Sequence, residues 1–311
     1  GVGNAPAYRG RSTLMIEGLQ LGSSGQLPNL TFEVLQEGTE SLGARRDGAS
    51  QSYPGIPQAG TAAAGSDTVF RVAIPQWDNG YASTLVRCYD IDALSSEVSE
   101  IGQFYVDSAG AAATGHSDVP ILVHTPNAAS TEWRAYSVPS GSFVAFTMPV
   151  SIGVSQARFA KSGGDIVFGS SLFGGASLHR FSAAGGSVIV SSAALPSYVN
   201  SIVIIGGDVF AASKTAKVTY RLDLATLTLQ ETINNPSFGG PNSDSWPLLF
   251  VMRGELALIG QPYTGSGYRI FVRRSGSWVT LQSITTPYVA DSELMPSIGV
   301  VGSMLVSGLM R

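Results

Sequence analysis

Apolar and polar positions alternate along much of the chain, and the alternating stretches recur. Four copies of one pattern can be read: GGDIVFGSS (163–171), GGDVFAASK (206–214), RGELALIGQ (253–261) and VGSMLVSGL (301–309). An apolar/polar period of two residues is typical of a half-buried strand. The copies return every 40 to 50 residues, and a recurrence at such an interval indicates a repeat architecture.

A second recurring element lies between these copies and centres on an arginine. The aligned residues are Arg87, Arg134, Arg180, Arg221 and Arg269. A turn and another β-rich run follow each arginine, so each unit reads as four short strands. In the last complete unit the strands are PLLFVM, ELALIG, YRIFV and WVTLQS. The apolar runs PLLFVM and SIVII suit inner strands that are packed on both faces.

Four strands per unit predict an all-β protein, a β-propeller of about six four-stranded blades. Five units are complete, at roughly 66–107, 117–150, 154–194, 197–234 and 243–284. The sixth stops after its second strand, at Arg311. Because an open ring leaves strand edges exposed, either strands from the first 50 or so residues or sequence beyond this chain must complete it.

The domain division follows from the same pattern. We expect a small N-terminal β segment at 1–45, a linker rich in Gly, Ala, Ser and Pro at 46–65, and the propeller at 66–311. Each Gly-Gly-Asp is predicted to be a tight turn between the first two strands of a blade. Asp165 and Asp208 are expected to accept hydrogen bonds from turn amides.

The aligned arginines allow two interpretations. Each can face outward from a third strand and cover apolar surface with its stem, which we favour, or the set can form a ring of anion-binding guanidinium groups. The overall charge is −4, and only 13% of the residues are charged. This balance argues against a nucleic-acid partner, which needs a basic surface. No apolar run is long enough for a membrane helix, and the single cysteine, Cys88, is expected to be buried.

Residues 5–35 lie outside the blade pattern and carry two motifs, Pro-Ala-Tyr-Arg-Gly at 6–10 and Leu-Pro-Asn followed by Phe-Glu-Val at 27–34. Together they resemble a segment of the tail hub proteins of long-tailed bacteriophages and gene transfer agents. The resemblance covers about a tenth of the chain. It departs from the family at GSSGQ, where a Phe-Gly-Asn-Arg turn would be expected.

This resemblance implies a structural protein of a virion tail tip, in a hub or baseplate. It implies other tail proteins as partners, a homotrimer or another ring, and a location in the virion tail, which is extracellular when the particle is free. STLMIEGL and LTFEVL would be strands of the hub's sheet. The residues that would serve assembly are Pro6, Tyr8, Arg9, Gly10, Pro28 and Phe32.

Motifs for chemistry are missing from the sequence. The histidines at 116, 124 and 179 lack metal-ligand spacing, and the chain has no Gly-x-Ser-x-Gly elbow and no phosphate loop. We therefore expect no enzyme activity, cofactor or metal. TPNAASTEW at 125–133 is only a weak match to the turn of sialidase propellers, and Trp133 and Trp278 are expected to pack between strands.

Aromatic and polar residues in three predicted loops are candidates for contact with a host surface glycan or protein. They are Trp77, Asp78, Asn79, Tyr81, Trp246 and Tyr263. The alternatives are a propeller glycosidase, which needs a pair of carboxylates, a glycan-binding protein, or a cellular propeller scaffold.

Overall fold

The computed structural model describes fifteen stretches of the chain, and the regular elements within them are strands. These stretches are 11–18, 30–35, 58–60, 69–77, 84–92, 97–106, 114–126, 131–150, 157–170, 177–237, 247–252, 254–260, 268–284, 297–301 and 304–310. Within them, no helix is long and apolar enough to cross a membrane.

The strands are numbered in chain order. The first twelve are β1 (Arg11–Gly18), β2 (Leu30–Leu35), β3 (Gln58–Gly60), β4 (Val69–Trp77), β5 (Thr84–Asp92), β6 (Glu97–Val106), β7 (Thr114–Ser117), β8 (Ile121–His124), β9 (Glu132–Ser137), β10 (Phe143–Thr147), β11 (Ala157–Ser162) and β12 (Asp165–Ser170). The others are β13 (His179–Ser182), β14 (Gly186–Ser187), β15 (Val190–Ser191), β16 (Ser201–Ile205), β17 (Asp208–Ser213), β18 (Val218–Asp223), β19 (Leu229–Asn234), β20 (Pro247–Met252), β21 (Glu255–Gly260), β22 (Tyr268–Arg274), β23 (Ser277–Ile284), β24 (Ser297–Val301) and β25 (Met304–Met310).

These strands form six sheets, the blades of a β-propeller. In strand order they are blade 1, β3-β4-β5-β6; blade 2, β8-β9-β10-β14; blade 3, β7-β11-β12-β13-β15; blade 4, β16-β17-β18-β19; blade 5, β20-β21-β22-β23; and blade 6, β24-β25-β1-β2. The predicted all-β propeller is confirmed. SIVII and PLLFVM are β16 and β20, the first strands of their blades, as their apolar runs predict.

The first strands of the blades contact one another and define a central axis. β11 contacts β16, β16 contacts β20, β20 contacts β24, and β24 contacts β3. β3 in turn contacts both β7 and β8. The inner strands of all six blades are therefore linked, and blades 2 and 3 also share a cluster of buried apolar residues.

Blade 6 is completed by the N-terminal strands. β1 pairs antiparallel with β25, from Ser12 opposite Met310 to Gly18 opposite Met304, and β2 pairs with the other edge of β1. Of the two ways to close the ring, the structure has the one that uses the first part of the chain. Strand pairing also crosses the predicted domain limits, because β1 and β2 belong to a blade and β3 lies within the predicted linker.

Blade 2 departs from the four-strand unit predicted at 117–150. β7 precedes β8 in the chain but pairs in parallel with β11 of blade 3, with Arg158 opposite Thr114 and Lys161 opposite Ser117. The outer edge of blade 2 is covered by β14, which pairs in parallel with β10. Arg134 accordingly lies on the second strand of its sheet, whereas the repeat predicts a third strand.

The Gly-Gly turns join β11 to β12 and β16 to β17, the first two strands of their predicted units, as the repeat predicts. Gly163 has φ 56° and Gly206 has φ 57°, in the left-handed region that glycine enters without a steric penalty. The acid that follows each turn bonds to an arginine on the third strand: Arg180 Nε donates to Asp165 Oδ1 at 2.7 Å, and an Arg221 nitrogen donates to Asp208 Oδ2 at 2.9 Å. The prediction that these carboxylates accept hydrogen bonds from turn amides did not include their arginine partners.

The hydrophobic core lies between neighbouring blades. Successive residues of a strand face opposite sides of the sheet, so Ile202 packs towards blade 3 while Val203 packs towards blade 5. Between blades 2 and 3, Trp133 and Phe146 meet Phe168 and other aromatic rings. Each fully buried large apolar side chain contributes roughly 1.5–3 kcal/mol, so the blades are held mainly by these layers.

Candidate functional site

A small cavity lies near the axis, where the inner strands of blades 3, 4 and 5 begin. Its polar lining consists of His116 on β7, Arg158 on β11, and Asn200 and Ser201 at the start of β16. Gly115 and residues 248–250 of β20 complete it. The cavity measures about 30 Å³, which is room for about two water molecules.

Arg158 brings a positive charge into this cavity. Its residue is only 5% exposed. Nε donates to the Asn200 carbonyl oxygen, and one terminal nitrogen donates to the Ala157 carbonyl oxygen, both at 2.8 Å. Burial lowers the pKa of the guanidinium to about 10, so the group stays protonated at neutral pH. The bond to Asn200 also joins blade 3 to blade 4.

His116 is held neutral. Burial lowers the pKa of its imidazole to about 4, against a smaller opposing effect of Asp118. Its Nδ1 is buried and has no hydrogen-bond partner among the described residues. A buried polar atom without a partner costs free energy, so this nitrogen is suited to a ligand in the cavity.

Asn200 presents a second buried atom of this kind. The residue is 2% exposed, and its Oδ1 accepts the backbone N–H of Lys214 at 2.6 Å. That bond assigns the amide orientation and leaves Nδ2 as a buried donor, which has no hydrogen-bond partner in the part of the chain that the structure describes. Ser201 is already occupied, since its Oγ accepts the Leu249 N–H at 2.9 Å.

The strands around the axis carry no acidic residue. β3, β7, β8, β11, β16, β20 and β24 read QAG, TGHS, ILVH, ARFAKS, SIVII, PLLFVM and SIGVV. The cavity therefore combines a cation with amide and imidazole nitrogens, and no carboxylate comes from these strands. Among the described residues, no cluster of three or more His, Cys, Asp or Glu could hold a metal ion.

Three of the predicted loops start from the same end of the blades as this cavity. Pro247, the first residue of β20, pairs with Gly260, the last residue of β21, and Gly260 pairs with Arg269 of β22. In blade 1, Trp77 ends β4 opposite Thr84 of β5. The equivalent second-to-third-strand connections of blades 1 and 5, and the connection into β20, therefore attach on one face of the propeller. We call this face the loop face.

Most of the residues singled out in these loops lie outside the described ranges. Trp77 is the last residue of β4. The residues outside are Asp78, Asn79, Tyr81, Trp246 and Tyr263. Their part in surface binding stays a prediction. The structure shows that the connections in which they lie start from the loop face.

The residues implied by the hub resemblance divide in the same way. Phe32 lies on β2, opposite Leu14 of β1. Pro6, Tyr8, Arg9, Gly10 and Pro28 lie outside the described ranges. Their assembly role stays a prediction.

Four of the five aligned arginines lie beside carboxylates of their own blades and do not form a ring of anion-binding groups. Arg134, Arg180 and Arg221 each bond a carboxylate, of Glu132, Asp165 and Asp208. Arg87 lies 3.6 Å from Glu100. Charge neutralisation within the blades accounts for these four positions.

Three further predictions concern packing. Trp133 is fully buried between blades 2 and 3, and Trp278 packs on the layer between blades 4 and 5 while its Nε1 donates to the Asn234 carbonyl at 3.0 Å. Both tryptophans are packing residues, as predicted. Cys88 is buried, and desolvation raises the pKa of its thiol to about 11, which makes it unreactive at neutral pH.

The sequence reading did not find Arg158, Asn200 or Ser201 as site residues. One signal was available: Arg158 is a cation at the second position of an inner strand that is otherwise mostly apolar near its start. The convergence of His116 with it depends on the shift of β7 to blade 3, which the repeat does not encode.

Comparison with known proteins supports the fold. No protein-family model and no curated protein matches the chain. A chain of the Nidogen/Laminin complex is similar in structure, with TM-score 0.50 and 8% identity over 88% of this chain and 94% of that one. Weaker likenesses are the computationally designed Ika8 protein (TM-score 0.44, 10% identity, 83% and 97% covered) and a chain of the Mitotic Checkpoint Complex (0.46, 11%, 83% and 86%).

Proposed function

We propose that this chain is a virion structural protein of a bacteriophage tail tip, in a hub or baseplate, whose propeller serves tail assembly, host-surface recognition or both. The observation that carries the proposal is the hub-like segment at 5–35. Its two apolar stretches are the strands β1 and β2, which pair antiparallel from Arg11 opposite Leu35 to Ile16 opposite Leu30. The resemblance implies strands at these places.

The position of β2 supports a role in assembly. It is the outermost strand of blade 6 in the described part of the chain. An outer strand offers backbone N–H and C=O groups to a further strand, and strand addition is a common way to join two proteins. We propose other tail proteins, including further copies in a homotrimer or another ring, as the partners at this edge.

The loop face supports a role in recognition. Connections with tryptophan, tyrosine, asparagine and glycine start from one end of blades 1 and 5. Aromatic rings stack on sugars and amides hydrogen-bond to them, so a host glycan or protein is the proposed target. Several copies on one tail would bind the host surface at the same time. Because the first contact raises the effective concentration of the others, weak single contacts would give tight attachment together.

Two alternatives receive less support from the described residues. A propeller glycosidase needs two carboxylates near the axis, and the inner strands carry none, so both would have to come from the connections. A cellular scaffold has no observation in its favour beyond the fold.

The direct test of the proposal is electron cryo-microscopy of tails purified from the phage that encodes this chain. We expect its six-bladed ring at the distal end of the tail. Its absence from purified particles would reject the proposal.

Recognition has its own test, in which the recombinant chain competes with the phage for host cells. Trp77→Ala and Trp246→Ala should abolish the competition, because both change the loop face. Tyr105→Ala is the matched control, since Tyr105 is 57% exposed on the outer strand β6 and should compete like the unmodified chain. Equal loss in all three variants would count against recognition by this face.

A further inference from the structure

We propose that the cavity among blades 3, 4 and 5 holds an ordered water molecule that hydrogen-bonds to both His116 and Asn200. The water would join β7, the strand that crosses to blade 3, to the residue that directly precedes β16 of blade 4. This inference goes beyond the proposed tail-tip function and does not depend on it.

The side-chain amide of Asn200 is held in a fixed position. The backbone N–H of Asn200 donates to the Ala212 carbonyl oxygen at 2.8 Å, and its carbonyl oxygen accepts from Arg158 Nε at 2.8 Å. Its Oδ1 accepts the Lys214 N–H at 2.6 Å. The remaining polar atom, Nδ2, is a buried donor without a hydrogen-bond partner among the described residues. Because leaving a buried donor unpaired costs free energy, a partner for this atom would stabilise the fold.

His116 supplies the other atom of the proposed bridge. Its backbone is held against blade 3, because His116 lies opposite Ala160 in the parallel pairing of β7 with β11. Burial lowers the pKa of the imidazole to about 4, so the ring is neutral at pH 7. Its Nδ1 has no hydrogen-bond partner within the described ranges. Since His116 and Asn200 both line the cavity, one small molecule there can serve both atoms.

Water fits these two atoms in chemistry and in size. Its oxygen accepts from the Asn200 amide, and it either donates to His116 Nδ1 or accepts from it, so it satisfies both neutral tautomers of the ring. An anion only accepts, and a cation would lie near the guanidinium of Arg158 in the same lining. The cavity of about 30 Å³ has room for about two water molecules and is too small for an organic ligand.

A crystal structure of the unmodified protein tests the site directly. We expect a water molecule within hydrogen-bond distance of Asn200 Nδ2 and His116 Nδ1, both in crystals grown with sodium bromide and in crystals grown without it. An empty cavity, or a water that touches only one of the two atoms, would overturn the proposal. An anomalous bromide peak at this position would also overturn it, because the ligand would then be an anion.

A double-mutant cycle in solution tests whether the water links the two side chains. The variants are Asn200→Ala and His116→Phe, and urea titration gives the unfolding equilibrium constant of each protein. Loss of the Lys214 contact in Asn200→Ala is common to both backgrounds, so it cancels in the cycle. Either substitution removes one end of the bridge. The second substitution should therefore raise the unfolding constant by a factor about five times smaller than it does alone.

The matched control is a second cycle, of Asn200→Ala with His179→Phe. His179 is also buried on a strand of blade 3, but its Nδ1 bonds with Ser191 Oγ at 2.8 Å, and it is not among the residues that line the cavity. The effects of this pair on the unfolding constant should be independent. Coupling of equal size in both cycles, or in neither, would contradict the bridge. Should the double variant not fold, the crystal structure still decides.

Discussion

The junction between blades 2 and 3 and the junction between blades 4 and 5 are held together by different kinds of contact. Blades 2 and 3 exchange backbone: β7 crosses to the inner edge of blade 3, and β14 crosses to the outer edge of blade 2. Blades 4 and 5 keep their own strands and are joined by side chains. These include the Ser201–Leu249 hydrogen bonds, the Arg273–Glu231 ion pair and the Trp278–Asn234 hydrogen bond.

This difference shows where each junction should be vulnerable. A backbone exchange depends on close approach of two main chains, so added atoms should break it. A side-chain junction consists of separate contacts, each of which can be removed at a modest cost. The predictions below test this contrast, from the largest expected effect to the smallest.

Gly115→Ala should destabilise the junction of blades 2 and 3 most. An added Cβ would overlap the carbonyl oxygen of Phe159 and would lie 2.6 Å from the Cγ atom of the Phe159 ring. Because both distances are shorter than a normal contact, β7 must move away from β11. We expect a loss of about 3 kcal/mol in the free energy of unfolding, measured by urea titration. Gly164→Ala is the control, because its Cβ would meet nothing within 4 Å. Equal stability of the two variants would mean that β7 does not pack on β11.

Ser201→Ala should weaken the junction of blades 4 and 5 by less. It removes the acceptor of the buried Leu249 N–H, and an unsatisfied buried donor costs about 2 kcal/mol. Ser140→Ala, which removes an exposed hydroxyl that bonds to Ser142 Oγ, should stay within about 0.5 kcal/mol of the parent protein. If urea titration gives Ser201→Ala the same stability as Ser140→Ala, the hydroxyl does not join the blades.

His116 gives the junction of blades 2 and 3 a pH dependence. Its pKa is lowered from an ordinary 6.5 to about 4 in the folded protein, so the unfolded chain binds the extra proton first as the pH falls. The contribution of neutral His116 to the free energy of unfolding is complete above pH 6.5 and is lost progressively as the pH falls towards 4. Burial is the larger cause of the lowered pKa, and the charge of Asp118 opposes it in part. Between pH 7 and 5 we expect His116 to account for a loss of about 1–2 kcal/mol.

The control for this pH effect is His116→Gln, which keeps a polar side chain but does not titrate. Its unfolding free energy should fall less over the same pH range. Parallel pH curves for the two proteins would show that His116 is not buried in a neutral form.

Glu231→Gln should have the smallest effect. Glu231 Oε1 accepts from Arg273 at 2.8 Å, but the Glu231 side chain is 40% exposed, and ion pairs of this kind contribute about 0.5 kcal/mol. A double-mutant cycle with Arg273→Met should give a coupling of this size that decreases with added salt. A coupling above 2 kcal/mol would make this contact as important as the buried hydrogen bond of Ser201.

The sequence predicts the regular part of the fold because that part is local. SIVII and PLLFVM are apolar throughout and become inner strands, while the Gly-Gly turns at 163 and 206 fix the first hairpins. The paired acids and arginines, such as Asp165 and Arg180, also recur at related positions. Each of these signals is contained within one blade.

What the sequence does not predict depends on contacts between blades. The shift of β7 to blade 3 pairs strands in parallel across 44 residues, and no turn or alternation encodes it. The cavity follows from this shift, because His116 reaches Arg158 and Asn200 only once β7 lies beside β11. Closure of the ring by β1 was one of two alternatives that the pattern left open.

The closing of the ring by β1 and β25 is the central claim about the fold, and a cross-strand disulfide tests it most directly. Thr13 lies opposite Leu309, and residues paired across antiparallel strands are within the distance that a disulfide spans. A Thr13→Cys, Leu309→Cys protein should form an intramolecular disulfide under mild oxidation, while Thr13→Cys with Met304→Cys, which is out of register, should not. Equal cross-linking of both pairs, or disulfides only between molecules, would contradict the closed six-bladed ring.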